Sequence, residues 1–481
     1  MIGLDEWIAA ETQFAADAML GAISATHLAI ERPGFGQRVI PRPGSVLASP
    51  VPAHYDPEPD YFFHWFRDSA IVMDALRVAL AEGYAGSSAG VRFGEFVQFS
   101  LALRSLDGRE LLRRGDFRAR VQPAFLQYLR PDAEIAALSG EAVLADVRVN
   151  ADGTLDFTRW SRPQADGPAL RSLALLRWSQ QFPPADAGLM RALRQLVSGD
   201  LAFTLSYAQK PCFDIWEEQS GYHYYTQLVQ AQALTRGAAW LDESGEHARA
   251  RACRLAADAI ILRLDALWDE AAGFYRSRAD TVAGEKSLDV AVVIALLHAG
   301  RASGNHSVLD PRAQATLTAL EELFEREYPI NRNRPPGQAA AMGRYANDHY
   351  YSGGAYFFAT LAAAEFHFRL AQALCGGAKL AVTEENSRFR ERLGIAKQPA
   401  ESCVAAARAL QRGDAFMRTV QAFTPAGGEL SEQFDRTTGA ETSARHLAWS
   451  YAALITAAAS RAQARRSTPA SVPSTPPAGT A

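Results

Sequence analysis

The sequence predicts an all-α protein built from helical hairpins. Apolar residues recur at helical spacing in about twelve segments of similar length, whereas the alternating pattern of strands is scarce. Twelve such helices suggest six hairpins in a closed ring, although periodicity alone does not distinguish a ring from a solenoid. The predicted helices cover residues 5–28, 68–83, 91–106, 168–181, 187–206, 222–243, 246–268, 286–302, 311–327, 354–375, 399–422 and 443–465.

The segment 246–268 shows this periodicity well. Its charged residues lie opposite its apolar residues, as an amphipathic helix requires. The apolar face contains Cys253, Ala257, Ile260, Ile261, Leu264, Leu267 and Trp268. The best candidate for extended structure is 143–149, which we expect to form a short hairpin arm.

The predicted connections are unequal in length, and the long ones hold most of the Trp, Tyr, Pro and Gly residues. Functional groups commonly lie on loops that a rigid scaffold holds in place. Arginines cluster in the insertion 107–140 among acids, which favours a solvated connection. Residues 465–481 are rich in Ser, Thr, Pro and Ala, so we expect a disordered tail after a single domain over 1–464. The long connections are 29–67, 107–167, 207–221, 328–353 and 423–442.

Composition excludes several classes of protein. The formal net charge of −4 gives no reason to expect a nucleic-acid partner. The four cysteines are far apart, which argues against a zinc site and a disulfide scaffold. The longest strongly apolar run, Val290 to Ala299, is too short to span a membrane, and no signal-peptide core is visible. We therefore expect a soluble, cytoplasmic monomer that contacts neither nucleic acid nor membrane, unless a signal has been removed.

The stretch 213–223 is the strongest candidate for chemistry. Two adjacent acids, Glu217 and Glu218, follow Trp216 and precede a Gly and several aromatic residues. Acids on a surface helix commonly pair with Lys or Arg four residues on, but here those positions hold Gly and Tyr. A carboxyl group beside Trp rings and a second acid has its ionised form disfavoured, which suits a general acid in a sugar-binding pocket. The start of an amphipathic helix explains this stretch equally well, because acids are favoured there.

The loop 60–69 offers the groups that a hexose needs. Trp65 provides a stacking face, Arg67 a fork of donors and Asp68 an acceptor. Asp68 could also be the N-cap of the following helix, and we interpret His64 as structural.

The loop 159–168 again places a ring beside donors, in Trp160 and Arg162. Gly167 and Pro168 at its end are typical of a helix start.

Two later loops add further charged groups. In 343–351, Asp348 is either a turn former or a hydroxyl acceptor. In 430–439, Glu432 follows two glycines in an apolar-flanked loop and is a plausible base. The chain has no P-loop, dinucleotide fingerprint, HExxH motif or nucleophile elbow. Two separated carboxylates with aromatic and Arg-rich loops therefore indicate glycoside hydrolysis.

These stretches resemble those of glycoside hydrolase family 15 glucoamylases, in the same order and with similar separations. The resemblance covers roughly residues 4–465, including an opening helix that begins Leu-Asp-Glu-Trp. It implies an (α/α)6 barrel with an active-site pocket formed by the connecting loops, and no metal or organic cofactor. The matching stretches are Asp60–Ser69, Trp160–Leu170, Phe213–Glu218, Gly343–Tyr351 and Leu430–Leu454.

The resemblance also implies roles for individual residues. Glu217 falls on the family's general acid and Glu432 on its general base, while Glu218 falls on the acid that binds sugar on the leaving-group side. Tyr61 and Ser443 fall where the family places hydrogen-bonding groups near the base. The other residues expected to contact substrate are Trp65, Arg67, Asp68, Trp160, Trp216, Arg344 and Asp348.

The implied reaction is inverting, exo-acting hydrolysis of terminal α-1,4 bonds, and more slowly α-1,6 bonds. β-D-Glucose would be released from the non-reducing ends of maltodextrin, glycogen or starch, with the two carboxyl groups roughly 6.5–9.5 Å apart. The chain departs from the family pattern at Ser161, Ala346-Asn347 and Tyr356, towards the leaving-group side, so linkage and chain-length preference stay open. The alternatives are another α-glucoside (trehalose, isomaltose or dextran) or a catalytically silent carbohydrate-binding regulatory protein.

Overall fold

The computed structural model describes residues 2–53, 57–115, 117–279, 286–395 and 401–467, and within these ranges all twelve predicted helices are present. The chain divides into two compact units. The N-terminal unit comprises Gln13–Leu262 and Ser443–Ala452, and the C-terminal unit comprises Met1–Thr12, Arg263–Thr442 and Ala453–Ala481. The last helix, Ala448–Ser467, continues past residue 464, and the rest of the predicted tail lies outside the described residues.

The helix Gly167–Gln181 is central to the N-terminal unit. It packs against three others, Phe66–Ala81, Ala187–Tyr207 and Tyr224–Glu243. Its first residue has to be Gly, because a Cβ atom there would lie 2.5 Å from the Cβ of Phe66. This close approach brings the loop before Phe66 next to the loop before Gly167. The unit also contains Ser88–Leu103 and parts of Leu4–Ala22, His247–Asp265 and Ala448–Ser467.

Short antiparallel strands fix the loops of this unit. Phe63–Trp65 pairs with Arg148–Asn150, so that Trp65 lies directly opposite Arg148. The predicted arm 143–149 is thus partly extended, but it pairs with a distant segment and begins inside a helical turn, Glu141–Leu144. The other pairs are Ile30–Arg32 with Gln37–Val39 and Cys212–Phe213 with Ser220–Gly221.

The Arg-rich insertion is more than a solvated connection, which corrects the prediction. Its backbone forms short helices, Gly108–Arg114, Phe117–Arg120, Asp132–Ala136 and the 3-10 turn Pro123–Tyr128. Apolar residues spaced between the surface arginines form a small core that the charge pattern had concealed. This core contains Phe35, Phe117, Val121, Leu129, Ile135 and Phe157. A cavity of about 500 Å³ opens beside it, lined in part by Phe35, Arg38, Glu110 and Arg114.

In the C-terminal unit the helices Phe357–Cys375 and Ser402–Phe423 pack closely. Gly413 permits the approach, since a Cβ atom there would lie 2.4 Å from the ring of Phe368. A three-stranded sheet places Gln433–Phe434 between Ala355–Tyr356 and Glu441–Thr442. The remaining elements are helices Ala291–Ala299, Pro311–Glu327, Pro329–Arg332 and Ser387–Arg392, and strands Trp268–Asp269 and Phe274–Tyr275.

Two predictions from composition can be compared with the structure. All four cysteines are free thiols, and burial raises the pKa of Cys212 to about 12. Within the described ranges, no helix combines the length and apolar character that crossing a membrane requires.

Candidate functional site

Glu217 lies in the loop of a hairpin, which excludes the alternative that it begins a helix. The strands Cys212–Phe213 and Ser220–Gly221 flank the loop 214–219. Within it the Glu217 backbone is left-handed, with φ of 65°, and its N–H donates to the Asp214 carbonyl at 3.0 Å. The hydroxyl of Ser161 donates to the carbonyl of Glu217. The loop is therefore fixed from both sides in a conformation that few side chains adopt without cost.

The carboxylate of Glu217 accepts three N–H donors. Trp65 Nε1 donates to Oε1 at 2.8 Å and Arg67 Nη2 to the same oxygen at 3.1 Å. Trp160 Nε1 donates to Oε2. We call these residues, with the carboxamide and carboxylates around Arg67, the Glu217 cluster. It contains Trp65, Arg67, Asp68, Trp160, Gln164, Asp166 and Glu217.

Arg67 is buried at the centre of this cluster. Its Nη1 donates to Gln164 at 2.8 Å and to Asp166 at 2.9 Å. Burial opposes its charge, but the surrounding carboxylates outweigh that effect and raise the pKa of the guanidinium. Its Nε has no hydrogen-bond acceptor among the described residues, and such a buried donor costs free energy until something accepts from it. A ligand hydroxyl could satisfy it.

Asp68 lies in the first turn of Phe66–Ala81, while the N-cap position belongs to Trp65. The prediction that Asp68 could be the cap is therefore wrong, and its carboxylate instead lies 3.8 Å from Arg67 Nε as an ion pair. Burial raises its pKa to about 6, although the neighbouring charge of Arg67 opposes the shift.

Aromatic rings surround the donors. The rings of Tyr61 and Trp65 lie 5.2 Å apart, and those of Trp65 and Trp160 lie 6.3 Å apart, edge to face. Trp160 is 38% exposed, which leaves part of its ring available to an apolar sugar face. His64 is structural as predicted: it is buried, its Nδ1 accepts from Val46, and burial with the charge of Arg171 lowers its pKa to about 3.

Besides Tyr61, three predicted residues of the N-terminal unit lie outside the cluster. Glu218 is exposed, with its backbone N–H bound to the Asp214 carboxylate at 2.9 Å, and Trp216 is half-buried on the same loop. Ser443 is buried with φ of 65°.

In the C-terminal unit, Arg344 and Asp348 bind each other. Arg344 donates to both carboxylate oxygens, at 2.6 and 2.5 Å, and both side chains are buried. Asp348 also accepts from the N–H of Tyr350 at 2.9 Å, so it is a turn former as well as a charge partner. The rings of Tyr345 and Tyr350 lie beside the guanidinium, each 5.1 Å away. This packing fixes the pair in one orientation.

Glu432 precedes the central strand of the three-stranded sheet. Its backbone carbonyl accepts from Phe357, and the next residue, Gln433, donates to the Tyr356 hydroxyl at 2.8 Å. Burial raises the pKa of Tyr356, and the charge of Glu432 adds to that shift. Residues 433–434 are extended, so Glu432 does not lie in a helix.

Sequence reasoning missed Gln164, Asp166 and Arg148. The first two bind Arg67, and Arg148 lies against the Trp65 and Trp160 rings. No side chains among the described residues are grouped as a metal site of three or more His, Cys, Asp or Glu would require. The Glu217 cluster thus offers an oriented carboxyl group, an unsatisfied cationic donor and an aromatic face, which are groups that bind and protonate a sugar.

Known proteins resemble this chain over nearly its whole length. The glucoamylase-1 of Arthroderma benhamiae is 29% identical over 440 residues, which is 87% of this chain and 65% of that protein. A probable glucoamylase of Schizosaccharomyces pombe is 27% identical over 469 residues, covering 94% of this chain and 91% of the relative. The chain therefore spans slightly less than two thirds of the first relative and most of the second.

The structural comparison agrees. A family 15 glucoamylase from Hypocrea jecorina matches with a TM-score of 0.79 and 26% identity, over 98% of this chain and 76% of that one. The predicted fold class, an all-α (α/α)6 barrel, is confirmed by this likeness. The sequence profile of glycosyl hydrolases family 15 matches residues 145–459, which include the hairpin of Glu217 and the loop of Glu432. The chain belongs to glycosyl hydrolases family 15.

Proposed function

We propose that this protein is an inverting, exo-acting glucoamylase. It removes glucose from the non-reducing ends of maltodextrin, glycogen or starch, at α-1,4 bonds and more slowly at α-1,6 bonds. The observation that carries the proposal is the Glu217 carboxylate, held by Trp65, Trp160 and Arg67 in a member of this family. Relatives named as glucoamylases support it.

Glu217 is the general acid in this proposal. Its proton passes to the glycosidic oxygen as the bond to the anomeric carbon breaks and an oxocarbenium-like transition state forms. The donors on the carboxylate keep it in one orientation, which a proton transfer over a single hydrogen bond requires.

Glu432 is the general base. As a carboxylate it removes a proton from the attacking water, which adds to the face of the ring opposite the leaving group, so that the product is β-D-glucose. Tyr61 and Ser443 are proposed to hydrogen-bond near this base, as the family resemblance implies.

The terminal glucose is held by charged hydrogen bonds. Arg67 brings its free Nε, and Asp68 brings a carboxyl group not needed as a helix cap. Trp160 offers an exposed ring face, and Arg344 with Asp348 supplies a fixed pair of opposite charges. Trp216 and Glu218 complete the proposed substrate contacts, Glu218 on the leaving-group side.

The experiment is proton NMR of the purified protein with maltoheptaose, isomaltose and trehalose in separate tubes. We expect β-glucose to appear first from maltoheptaose, before mutarotation, and more slowly from isomaltose. α-Glucose as the first product would exclude inversion. β-Glucose from trehalose alone would keep the mechanism and change the substrate, and no glucose from any tube would favour the silent alternative.

Variants assign the two roles. Glu217→Gln and Glu432→Gln should each lower kcat by roughly three orders of magnitude or more, because each removes a proton-transfer group. Glu243→Gln, at the exposed end of the helix Tyr224–Glu243, is the matched control and should keep normal turnover. Near-normal turnover of Glu432→Gln would exclude that residue as the base.

A cytoplasmic, monomeric state stays a prediction, which fractionation and size-exclusion chromatography would test.

A further inference from the structure

Arg148 is a buried cation that the proposed reaction does not use directly. It is 1% exposed and lies opposite Trp65 in the strand pair Phe63–Trp65 with Arg148–Asn150. Its Nε donates to Asp156 at 2.9 Å. Its Nη1 has no hydrogen-bond acceptor among the described residues. A guanidinium nitrogen without an acceptor, deep in a protein, needs another source of stabilisation.

Aromatic rings supply that stabilisation. The guanidinium carbon lies 3.7 Å from the ring centroid of Trp160 and 4.7 Å from that of Trp65. It also lies 4.0 Å from the ring centroid of Phe63. A cation over aromatic faces at these distances is attracted by the ring quadrupole, and the attraction grows when water is excluded. One side chain thus contacts both indoles that donate to the Glu217 carboxylate.

We propose that Arg148 is a positioning residue for the general acid, acting through Trp65 and Trp160. Its guanidinium fixes the tilt of the two indole rings, and their N–H groups in turn fix the carboxyl group of Glu217. The inference rests on the proposed function in one respect, since it takes Glu217 as the acid.

The ion pair with Asp156 makes this arrangement rigid. Asp156 also accepts from Arg162 Nη2 at 2.9 Å, and Arg162 lies two residues beyond Trp160. The strand that carries Arg148 and the loop that carries Trp160 therefore share one buried carboxylate. A side chain that only filled space would not connect these segments by charge.

Loss of Arg148 has a predictable effect on the pH profile. Two oriented N–H donors stabilise a carboxylate more than a carboxylic acid, so misplacing the indoles favours the protonated form. The alkaline limb of kcat against pH, where the general acid is lost, should then move to higher pH. A side chain needed only for folding would not move this limb.

The experiment compares Arg148→Met with Arg148→Lys. The Met variant should lower kcat roughly 10- to 100-fold with KM within about threefold, because misplacing an acid affects the transition state more than substrate binding. Its alkaline limb should rise by about half a pH unit or more. The Lys variant keeps the charge but loses the planar fork that orients the indoles, so it should lower kcat and move the limb in the same direction by a smaller amount. It also keeps the test valid if the Met variant does not fold.

A double-mutant cycle with Trp160→Phe tests whether Arg148 acts through the indole of Trp160. In that background Arg148→Met should lower kcat by a smaller factor than in the unmodified protein, since one of the two indoles through which it acts is gone. If the effects of Arg148→Met and Trp160→Phe on kcat simply multiplied, the inference would be overturned. Unchanged kcat and an unchanged alkaline limb in both Arg148 variants would overturn it as well.

Arg32→Met is the matched control. Arg32 is buried, lies 3.9 Å from the same Phe63 ring and pairs with Asp60 at 2.5 Å. It should reduce stability and leave the alkaline limb where it is, and a shift equal to that of Arg148→Met would overturn the inference. Normal turnover in Glu217→Gln would instead defeat the proposed function, so the two failures are distinguishable.

Discussion

At the scale of single residues, the buried pair of Arg67 and Asp166 makes the first prediction. Asp166→Asn leaves a buried guanidinium with a neutral partner, so Arg67 should shift towards the remaining carboxylates. We expect kcat/KM to fall roughly 100-fold and the free energy of unfolding to fall by about 3 kcal/mol. Asp200→Asn is the control, because Asp200 is also a buried partner of a buried arginine, accepting two hydrogen bonds from Arg171 at 2.8 and 2.7 Å. It should lose stability and keep its turnover per folded molecule. If Asp166→Asn also kept its turnover, Asp166 would serve folding alone.

The same residues show what a sequence can reveal about a site. Composition indicates four of these residues, because rings and charges are dense in the stretches around them: Trp65, Arg67, Trp160 and Glu217. Asp166 gains its role from Arg67, 99 residues away in the chain, and nothing local marks that pairing. Arg148 is equally concealed, since an Arg in a strand is ordinarily a surface residue and only the pairing with Trp65 places it against the rings.

At the scale of elements, long periodic segments were predictable and the short ones were not. All twelve helices are found because each buries one face over several turns. Strands of two or three residues have no periodicity to detect, although they position Glu217 and Glu432. The ends of helices also differ from their predicted positions where the backbone turns. The periodicity predicts a last helix from residue 443, but the helix begins at Ala448, because Ser443 and His446 adopt positive φ, 65° and 49°.

The hairpin of Glu217 supports a prediction that does not depend on catalysis. Its φ of 65° disfavours any residue with a Cβ atom, so Glu217→Gly should be more stable than Glu217→Ala by about 1 kcal/mol. Urea denaturation of both inactive variants measures the difference. Arg251, exposed within the helix His247–Asp265, is the control. There Arg251→Ala should be more stable than Arg251→Gly by about 1 kcal/mol. A Glu217→Ala variant more stable than Glu217→Gly would contradict the left-handed conformation.

At the scale of the whole molecule, two buried acids act on stability in opposite directions. Burial and the nearby Glu429 raise the pKa of Glu11 from 4.5 to about 7, and one of its oxygens has no hydrogen-bond donor among the described residues. Burial opposes ionisation of Glu321, but Arg412, Arg392 and His367 outweigh it and lower its pKa to about 2. Glu11 stabilises the fold fully below pH 4.5, and this contribution is lost as pH rises through about 7. Glu321 contributes fully above pH 4.5 and loses its contribution as pH falls through about 2.

Together these two groups favour maximal stability near pH 4.5, with a decline on either side. Glu11→Gln removes the alkaline decline. The gain in free energy of unfolding over the unmodified protein should therefore be larger at pH 8 than at pH 4, by about 2 kcal/mol after allowing for solvent screening. Glu6→Gln, exposed on the same helix Leu4–Ala22, should show no such difference between the two pH values. Glu321→Gln should lose about 3 kcal/mol at pH 6, because Arg412 then faces a neutral amide and Arg392 keeps only its pairs with Glu322 and Glu325. Urea titrations at each pH measure all three variants, and a Glu11→Gln curve parallel to that of the unmodified protein would exclude Glu11 as the source of the alkaline decline.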